Sequence, residues 1–309
     1  MPPYPSAAAG ALEAADEFVP VGWVSLAGAR LRLEVRPASH VGWLLRSYRE
    51  FLVARRTPPG TPVLRLDVVD WERPPAPPAP APGENAFECL DGLVVGTFAP
   101  GARVTTVTVP SWLLQDETRR AFDHLFIPHF YTYAAGHEGE PLAAMIAHAS
   151  AVEIEQGVGV LCMAPSEGGK TTVARLAMPR PIVHEEAVIV RLGRTVTIEP
   201  GPWGGIRTQI PPRRIRLAGM FLLEKGPQHV IEAAPRAEAQ ARLLAQLVMA
   251  QGLEPRPAAE VLSRMMDFAG RLMEVVPLER LRFAREPSVW QAIRGHLRAD
   301  GRLPRGNGL

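Results

Sequence analysis

Cysteine is scarce in this chain, with Cys89 and Cys162 the only two. Two cysteines cannot build a disulfide framework or a multi-cysteine zinc site. Lysine is equally scarce: Lys170 and Lys225 stand alone, and every other basic residue is arginine. An excess of one charge is also lacking, since 34 basic residues face 32 acidic ones. No broad field therefore argues for nucleic acid or an anionic membrane as partner. No apolar run approaches the roughly 20 residues that a membrane span needs. The opening stretch MPPYPSAAAGALEAADEF has no basic start followed by an apolar block. No secretory signal is expected from it, and a cytoplasmic location is the expectation. These shortages argue against a secreted mini-domain, a membrane-spanning chain, a collagen-like fibre and a zinc finger.

What is present is 309 residues, enough for two domains of ordinary size, and 32 prolines. Residues 1–17 are Ala- and Pro-rich and read as a tail. Residues 18–36 alternate twice around an Ala-Gly pair and predict a hairpin. Residues 40–54 space Val41, Leu44, Leu45, Tyr48, Phe51 and Leu52 at helical intervals. Strands are expected at 63–71 and within 86–110. Between them, PPAPPAPAPGEN at 74–85 has no apolar periodicity and reads as a polyproline-type loop. A small α+β domain is thus expected over 18–112. Helices are expected at 116–135, where Pro128 would kink the run, and at 141–148. From residue 151 the pattern becomes strand, glycine loop, helix, strand, which predicts an α/β nucleotide-binding core. Further helices are expected at 236–250, at 258–273 and at 288–298, the last capped by Ser288.

The most informative stretch is GVGVLCMAPSEGGKTTVARL, residues 157–176. Val158, Val160, Leu161 and Met163 form a short apolar run with little alternation, as a buried parallel strand does. The segment Ala164, Pro165, Ser166, Glu167, Gly168, Gly169, Lys170 and Thr171 then fits a relaxed Walker A pattern, with Ala in place of the first Gly. In such a loop, backbone N–H groups wrap a β-phosphate and a helix start faces the same anion. The Lys170 ammonium would add a point charge at the β/γ oxygens. The Thr171 hydroxyl would enter a Mg²⁺ shell, and Thr172 completes the loop. ATP with Mg²⁺ is the cofactor these residues predict. Glu167 stands where glycine is common and adds negative charge beside the phosphates.

A second pattern, PIVHEEAVIV at 181–190, reads as a strand carrying Glu185 and Glu186. Neighbouring side chains on a strand face opposite ways. For both to act, the strand end must twist or bulge. One carboxylate would hold Mg²⁺ and the other would serve as general base toward a hydroxyl acceptor. His148 precedes the loop strand and is either a structural histidine or a third site residue. The other histidines, His184 among them, show no spacing that makes a metal cluster. Residues 201–226 open with a Gly/Pro loop holding Trp203, followed by Arg207, Arg213, Arg214 and Arg216 before a strong strand. Guanidinium groups suit phosphate or acidic-peptide contacts, so Trp203, Arg207 and Arg213 are candidate substrate residues. Met265, Met266 and Met273 are spaced as core filler.

The strings HASAVEIEQGVGVLCMAPSEGGKTT and IVHEEAVIV resemble the core of HPr kinase/phosphorylase and related bacterial serine kinases. The resemblance covers roughly residues 140–235. Residues before it look like the accessory region of HPr-kinase-related proteins found beside peptide-modification genes. The family carries a histidine before the loop strand, a Walker A loop, and an acidic pair after the next strand. His148, Ala164–Thr171 and Glu185–Glu186 occupy those places. The resemblance implies an α/β, phosphoenolpyruvate-carboxykinase-like phosphate-loop domain over 113–309. It implies phosphate transfer to a serine hydroxyl, with Glu185 as base and Glu186 on the metal. The family pair is usually Asp-Asp or Asp-Glu, whereas here it is Glu-Glu. No segment resembles the one that contacts the HPr protein. The expected function is an ATP-dependent kinase acting on a serine or threonine of a peptide or protein. A nucleotide-binding scaffold with little or no turnover and a small-metabolite kinase are the alternatives. The expected partners are a nucleotide and a peptide or protein, without nucleic acid or membrane. The sequence leaves room for a homo-oligomer.

Overall fold

Alternating apolar residues recur in the described part of the first hundred positions, and most of these runs fold as strands. The structure, a computed structural model, describes residues 17–26, 29–49, 51–53, 61–71, 79–89, 93–99, 103–114, 143–201, 213–248 and 258–303. Nearly all of the 1–17 tail, residues 74–78 of the proline stretch, the helix expected at 116–135, Trp203 and Arg207 lie outside them. The chain divides into two units, one holding the described residues up to Leu114 and the other those from Ala143. Both are built on mixed sheets with few helices, so the fold is mixed α/β.

In the first unit, β1 (Val19–Leu26) and β2 (Ala29–Arg36) form the expected antiparallel hairpin. Helix α1 (Val41–Ser47) follows, then β3 (Val63–Val69), β4 (Asn85–Cys89), β5 (Val94–Ala99) and β6 (Val104–Pro110). The strand order is β1-β2-β3-β6-β5-β4. Leu64, Leu66 and Val68 of β3 face the core, and the residues between them are half-exposed, which is the period of two expected of a one-sided sheet. The helix expected over 40–54 stops at Ser47. Tyr48 and Phe51 are buried and Leu52 bridges to Val24, so the rest of the apolar pattern covers β1 instead of lengthening the helix.

The second unit contains β7 (Ala144–Ala147), β8 (Ala149–Glu155), β9 (Val158–Met163), α2 (Lys170–Arg175), β10 (Ile182–His184) and β11 (Val188–Arg191). It continues with β12 (Thr197–Pro200), β13 (Ile215–Lys225), β14 (Val230–Ala233), α3 (Arg236–Leu244) and β15 (Leu247–Val248). It ends with α4 (Ala258–Val275), β16 (Leu278–Phe283) and α5 (Val289–Ala299). The main strand order is β10-β8-β9-β13-β12-β11-β7-β15, with β16 beside β13 and β14 beside β16. Strands β9, β13 and β16 are parallel neighbours, and the remaining pairs are antiparallel. The loop strand therefore has a parallel neighbour on one side only. Chain continuity bends the sheet: β7 runs into β8 and β10 into β11, while β8 pairs with β10 and β7 with β11. Two bent strands thus lie side by side, with His148 at one bend and Glu185–Ala187 at the other.

Apolar side chains of β8, β9, β13 and β16 pack with Val173 and Ala174 of α2 and with Trp290, Ile293 and Leu297 of α5. The Trp290 indole N–H donates to Val173 O at 3.0 Å and joins the two helices.

Several expectations need correction. The run at 141–148 is strand β7, not a helix, over Ala144–Ala147. All four residues are buried between neighbouring strands, so no alternation distinguishes them from a helix segment. The helix expected over 236–250 ends at Leu244, and Leu247 and Val248 pair with β7. Ser288 makes no side-chain cap bond; its hydroxyl meets His229 Nε2 at 2.8 Å. Met265 is in the core as expected, but Met266 is exposed.

Candidate functional site

Strand register assembles the site. In the β8–β9 pair Ala149 faces Met163, so the next positions outward are His148 and Ala164, the first loop residue. In the β10–β8 pair His184 faces Ala151, so Glu185 and Glu186 run on past Ser150 and Ala149. The Ala149 N–H donates to Glu186 O at 3.0 Å and confirms that alignment. The glycine loop, His148 and the acidic pair therefore emerge at one end of the same strands.

The loop is tightly turned. Gly168 N–H donates to Pro165 O at 3.0 Å. A Cβ at Gly168 would lie 2.4 Å from Ala164 Cβ and 3.0 Å from Pro165 O. Gly169 has φ 105, and a Cβ there would lie 2.9 Å from Phe283 Cζ. Both glycines are thus required by space, and Gly169 also by conformation. Pro165, Ser166 and Glu167 are exposed, as is Thr171, while Thr172 is half-buried. Lys170 is buried and turns back on the loop, its Nζ donating to Ala164 O at 2.6 Å and to Pro165 O at 3.2 Å. Burial lowers its pKa, and the Glu186 charge opposes that shift.

Glu167 has φ 60, a left-handed conformation that costs an L-residue about 1–2 kcal/mol. Replacing Glu167 with glycine should raise the unfolding midpoint by a few degrees, less what the unfolded chain gains in freedom. Thermal unfolding of the two proteins checks this; a lower midpoint in the variant would reveal a stabilising role for the carboxylate.

The strand expected over 181–190 is split, and the two glutamates sit in the turn between β10 and β11. His184 builds that turn. Its Nδ1 accepts from Glu186 N at 3.1 Å and from Ala187 N at 2.9 Å, which leaves the ring proton on Nε2. The turn frees the glutamates from strict strand alternation. Glu185 is buried and its Oε1 has no hydrogen-bond partner among the described residues, while Glu186 is exposed. Burial raises the Glu185 pKa; Arg175 opposes the shift and the Glu186 charge adds to it. His148, half-buried, has its pKa lowered by burial and by the Lys170 charge, against the pull of Glu186. These mutual influences join Lys170, His148, Glu185 and Glu186 in one electrostatic cluster. A neutral imidazole, a reluctant carboxylate, an exposed carboxylate and a buried ammonium together suit proton transfer beside an anion.

Arg213 is not brought to this end. It pairs with the buried Glu153, which also accepts the Gly157 N–H at 2.6 Å, four residues down β8 from Ala149. At 3.3 Å per residue that is roughly 13 Å away along the strand. The sequence reading missed Gln246, which lies between α3 and β15 and is buried. Its backbone oxygen accepts the His148 N–H at 2.7 Å. With its amide nitrogen facing the two carbonyls it donates to Ala164 O at 2.9 Å and to His148 O at 3.2 Å. Its only local signal is a glutamine ending an apolar helix pattern. The Cys162 thiol is buried and pushed up to about 12, which makes it a poor nucleophile.

Elsewhere in the unit, Glu279, His296 and Asp300 converge in a geometry that could hold a metal. The Arg302 guanidinium already lies 2.7 Å from Glu279, 2.6 Å from Asp300 and 2.9 Å from His296 Nε2. It occupies the place of a cation and makes the cluster a charge network. No helix among the described residues is long and apolar enough to cross a membrane. No family model matches the chain, and no curated protein matches it.

Proposed function

We infer that the chain is an ATP-dependent kinase that transfers the γ-phosphate to a serine or threonine hydroxyl of a peptide or protein. Its second unit would then be a phosphate-loop core of the HPr-kinase-related type. The observation that carries this reading is that a buried loop lysine, Lys170, and a buried glutamate, Glu185, both feel the charge of Glu186, so that the loop and the acidic pair act on one another electrostatically. The resemblance in the loop and in the acidic pair supports it.

The residues fit the cofactor. Mg²⁺ takes hard oxygen ligands, and Thr171 and Glu186 offer an exposed hydroxyl and an exposed carboxylate. ATP with Mg²⁺ supplies the transferable phosphoryl group and neutralises its charge. Lys170 leaves the loop carbonyls and sets its charge against the phosphate oxygens. Glu185, destabilised as an anion by burial, would accept the proton of the acceptor hydroxyl as its oxygen bonds to the γ-phosphorus and the bond to the leaving ADP breaks. His148, neutral near pH 7, stands beside Lys170 and Glu186 as a further proton carrier. A macromolecular acceptor is supported by the resemblance to seryl kinases of proteins and by the presence of a whole first unit, a platform that a free metabolite would not require. A scaffold with little turnover is favoured by one observation, the Glu167 carboxylate within the loop.

Phosphate transfer from labelled ATP, compared among free serine, serine-containing peptides and whole-cell lysate, tests the acceptor. Labelling of peptides or proteins is expected. Rapid turnover of free serine with no labelled macromolecule would move the reading to a metabolite kinase.

A further inference from the structure

Ala164 opens the glycine loop and is 1% exposed, so its carbonyl must find its partners inside the protein. Lys170 Nζ donates to it at 2.6 Å, and the Gln246 amide, oriented with its nitrogen toward the two carbonyls it faces, donates to it at 2.9 Å. A lysine that swings its ammonium toward a phosphate gives up this carbonyl, and an abandoned buried carbonyl is costly. We propose that Gln246 is a positioning residue of the phosphate loop, whose amide keeps the Ala164 carbonyl satisfied and so releases Lys170 to a polyphosphate. The inference rests on reading the loop as a phosphate site.

Gln246 is well placed for this work. Its N–H donates to Leu243 O at 2.9 Å, and the next residue, Leu247, pairs with Ala147 of β7. The amide also reaches His148 O, and the backbone oxygen accepts from His148 N. One residue thus ties the start of the loop to His148. The backbone bond survives any substitution, so the β15–β7 junction does not depend on the amide.

The test is a double-mutant cycle read with inorganic pyrophosphate. Gln246→Met keeps the length of the side chain and removes its donors. Gln246→Glu instead faces carbonyl oxygens with a carboxylate and holds Lys170 more firmly in the loop. Both should weaken pyrophosphate binding about five- to tenfold in calorimetry, the size of one hydrogen bond lost. In a Lys170→Met background neither should have an effect, because no ammonium remains to be released. The chain's two lysines allow a second readout. With lysine ¹³C-labelled at Cε, NMR gives one signal each for Lys170 and Lys225. Pyrophosphate should move the Lys170 signal in the wild type, with the response displaced to higher pyrophosphate in both Gln246 variants. A Gln246 effect of equal size with and without Lys170, or wild-type affinity in both variants, overturns the proposal. Failure of the wild type to bind pyrophosphate overturns the phosphate-site reading itself, and this inference with it.

Discussion

Lys170→Ala is expected to lower affinity for ATP with Mg²⁺ by about ten- to a hundredfold. The ammonium is buried at the base of the glycine loop and hydrogen-bonded to Ala164 and Pro165 carbonyls. In the proposed phosphate site it would exchange carbonyl partners for phosphate oxygens, a change from neutral to charged acceptors. A charge-assisted hydrogen bond is worth about 1.5–3 kcal/mol, and each 1.4 kcal/mol is tenfold in affinity. Lys170→Arg should not restore binding, because a planar fork cannot take the ammonium's place in so tight a loop. Lys225→Ala is the internal control, since Lys225 is exposed at the end of β13. Calorimetry on the three variants decides. Equal affinity in the wild type and in Lys170→Ala would remove the foundation of the kinase reading.

Glu185→Gln should separate activity from stability in opposite directions. Loss of a general base typically lowers the rate about 10²–10⁴-fold, while nucleotide binding is retained. The stability effect follows from burial. Glu185 holds its proton more tightly in the folded protein than in the unfolded chain, because burial disfavours the anion. The folded state therefore binds more protons, and wild-type stability falls as pH rises from the ordinary carboxylate range through the raised folded value. Glutamine carries no charge and escapes this loss. The variant should be more stable than the wild type at neutral pH, because it keeps the polar side chain and removes only the buried charge. The difference should vanish in acid. Urea unfolding at several pH values, beside phosphate-transfer assays, measures both effects. A variant less stable than the wild type at neutral pH would mean that Glu185 is held by favourable contacts and is not a destabilised base. The rate of the wild type should rise with pH through the same raised value, above the range of an exposed glutamate. Glu186→Gln should behave differently, because its exposed carboxylate is assigned to the metal. Its rate loss should be partly recovered by higher Mg²⁺.

Local features of the chain were legible wherever one short segment suffices. The hairpin over 18–36 follows from two alternating runs around a turn. The strand, tight loop and helix over 158–175 follow from an apolar run, two adjacent glycines and a helix-forming tail. The need for Gly168 and Gly169 follows from the same few residues, and the left-handed Glu167 is a cost visible as a departure from glycine. The fully buried run at 144–147 was not legible, because strand and helix look alike when every side is apolar.

The sequence by itself determined the local chemistry: a lysine in a glycine loop, two adjacent glutamates, and a histidine before the loop strand. Tertiary structure alone decided what that chemistry can do. Pairing of Ala149 with Met163 puts His148 beside the loop, and pairing of β10 with β8 brings the glutamate turn to the same end. Pairing of β15 with β7 delivers Gln246, from 76 residues beyond Lys170, to the Ala164 carbonyl. It also left Arg213 four residues down β8, bound to Glu153. The physical reason is that strand register is set by partners far away in the chain. A shift of one residue would turn each side chain to the opposite face, so only the paired sheet specifies which groups meet.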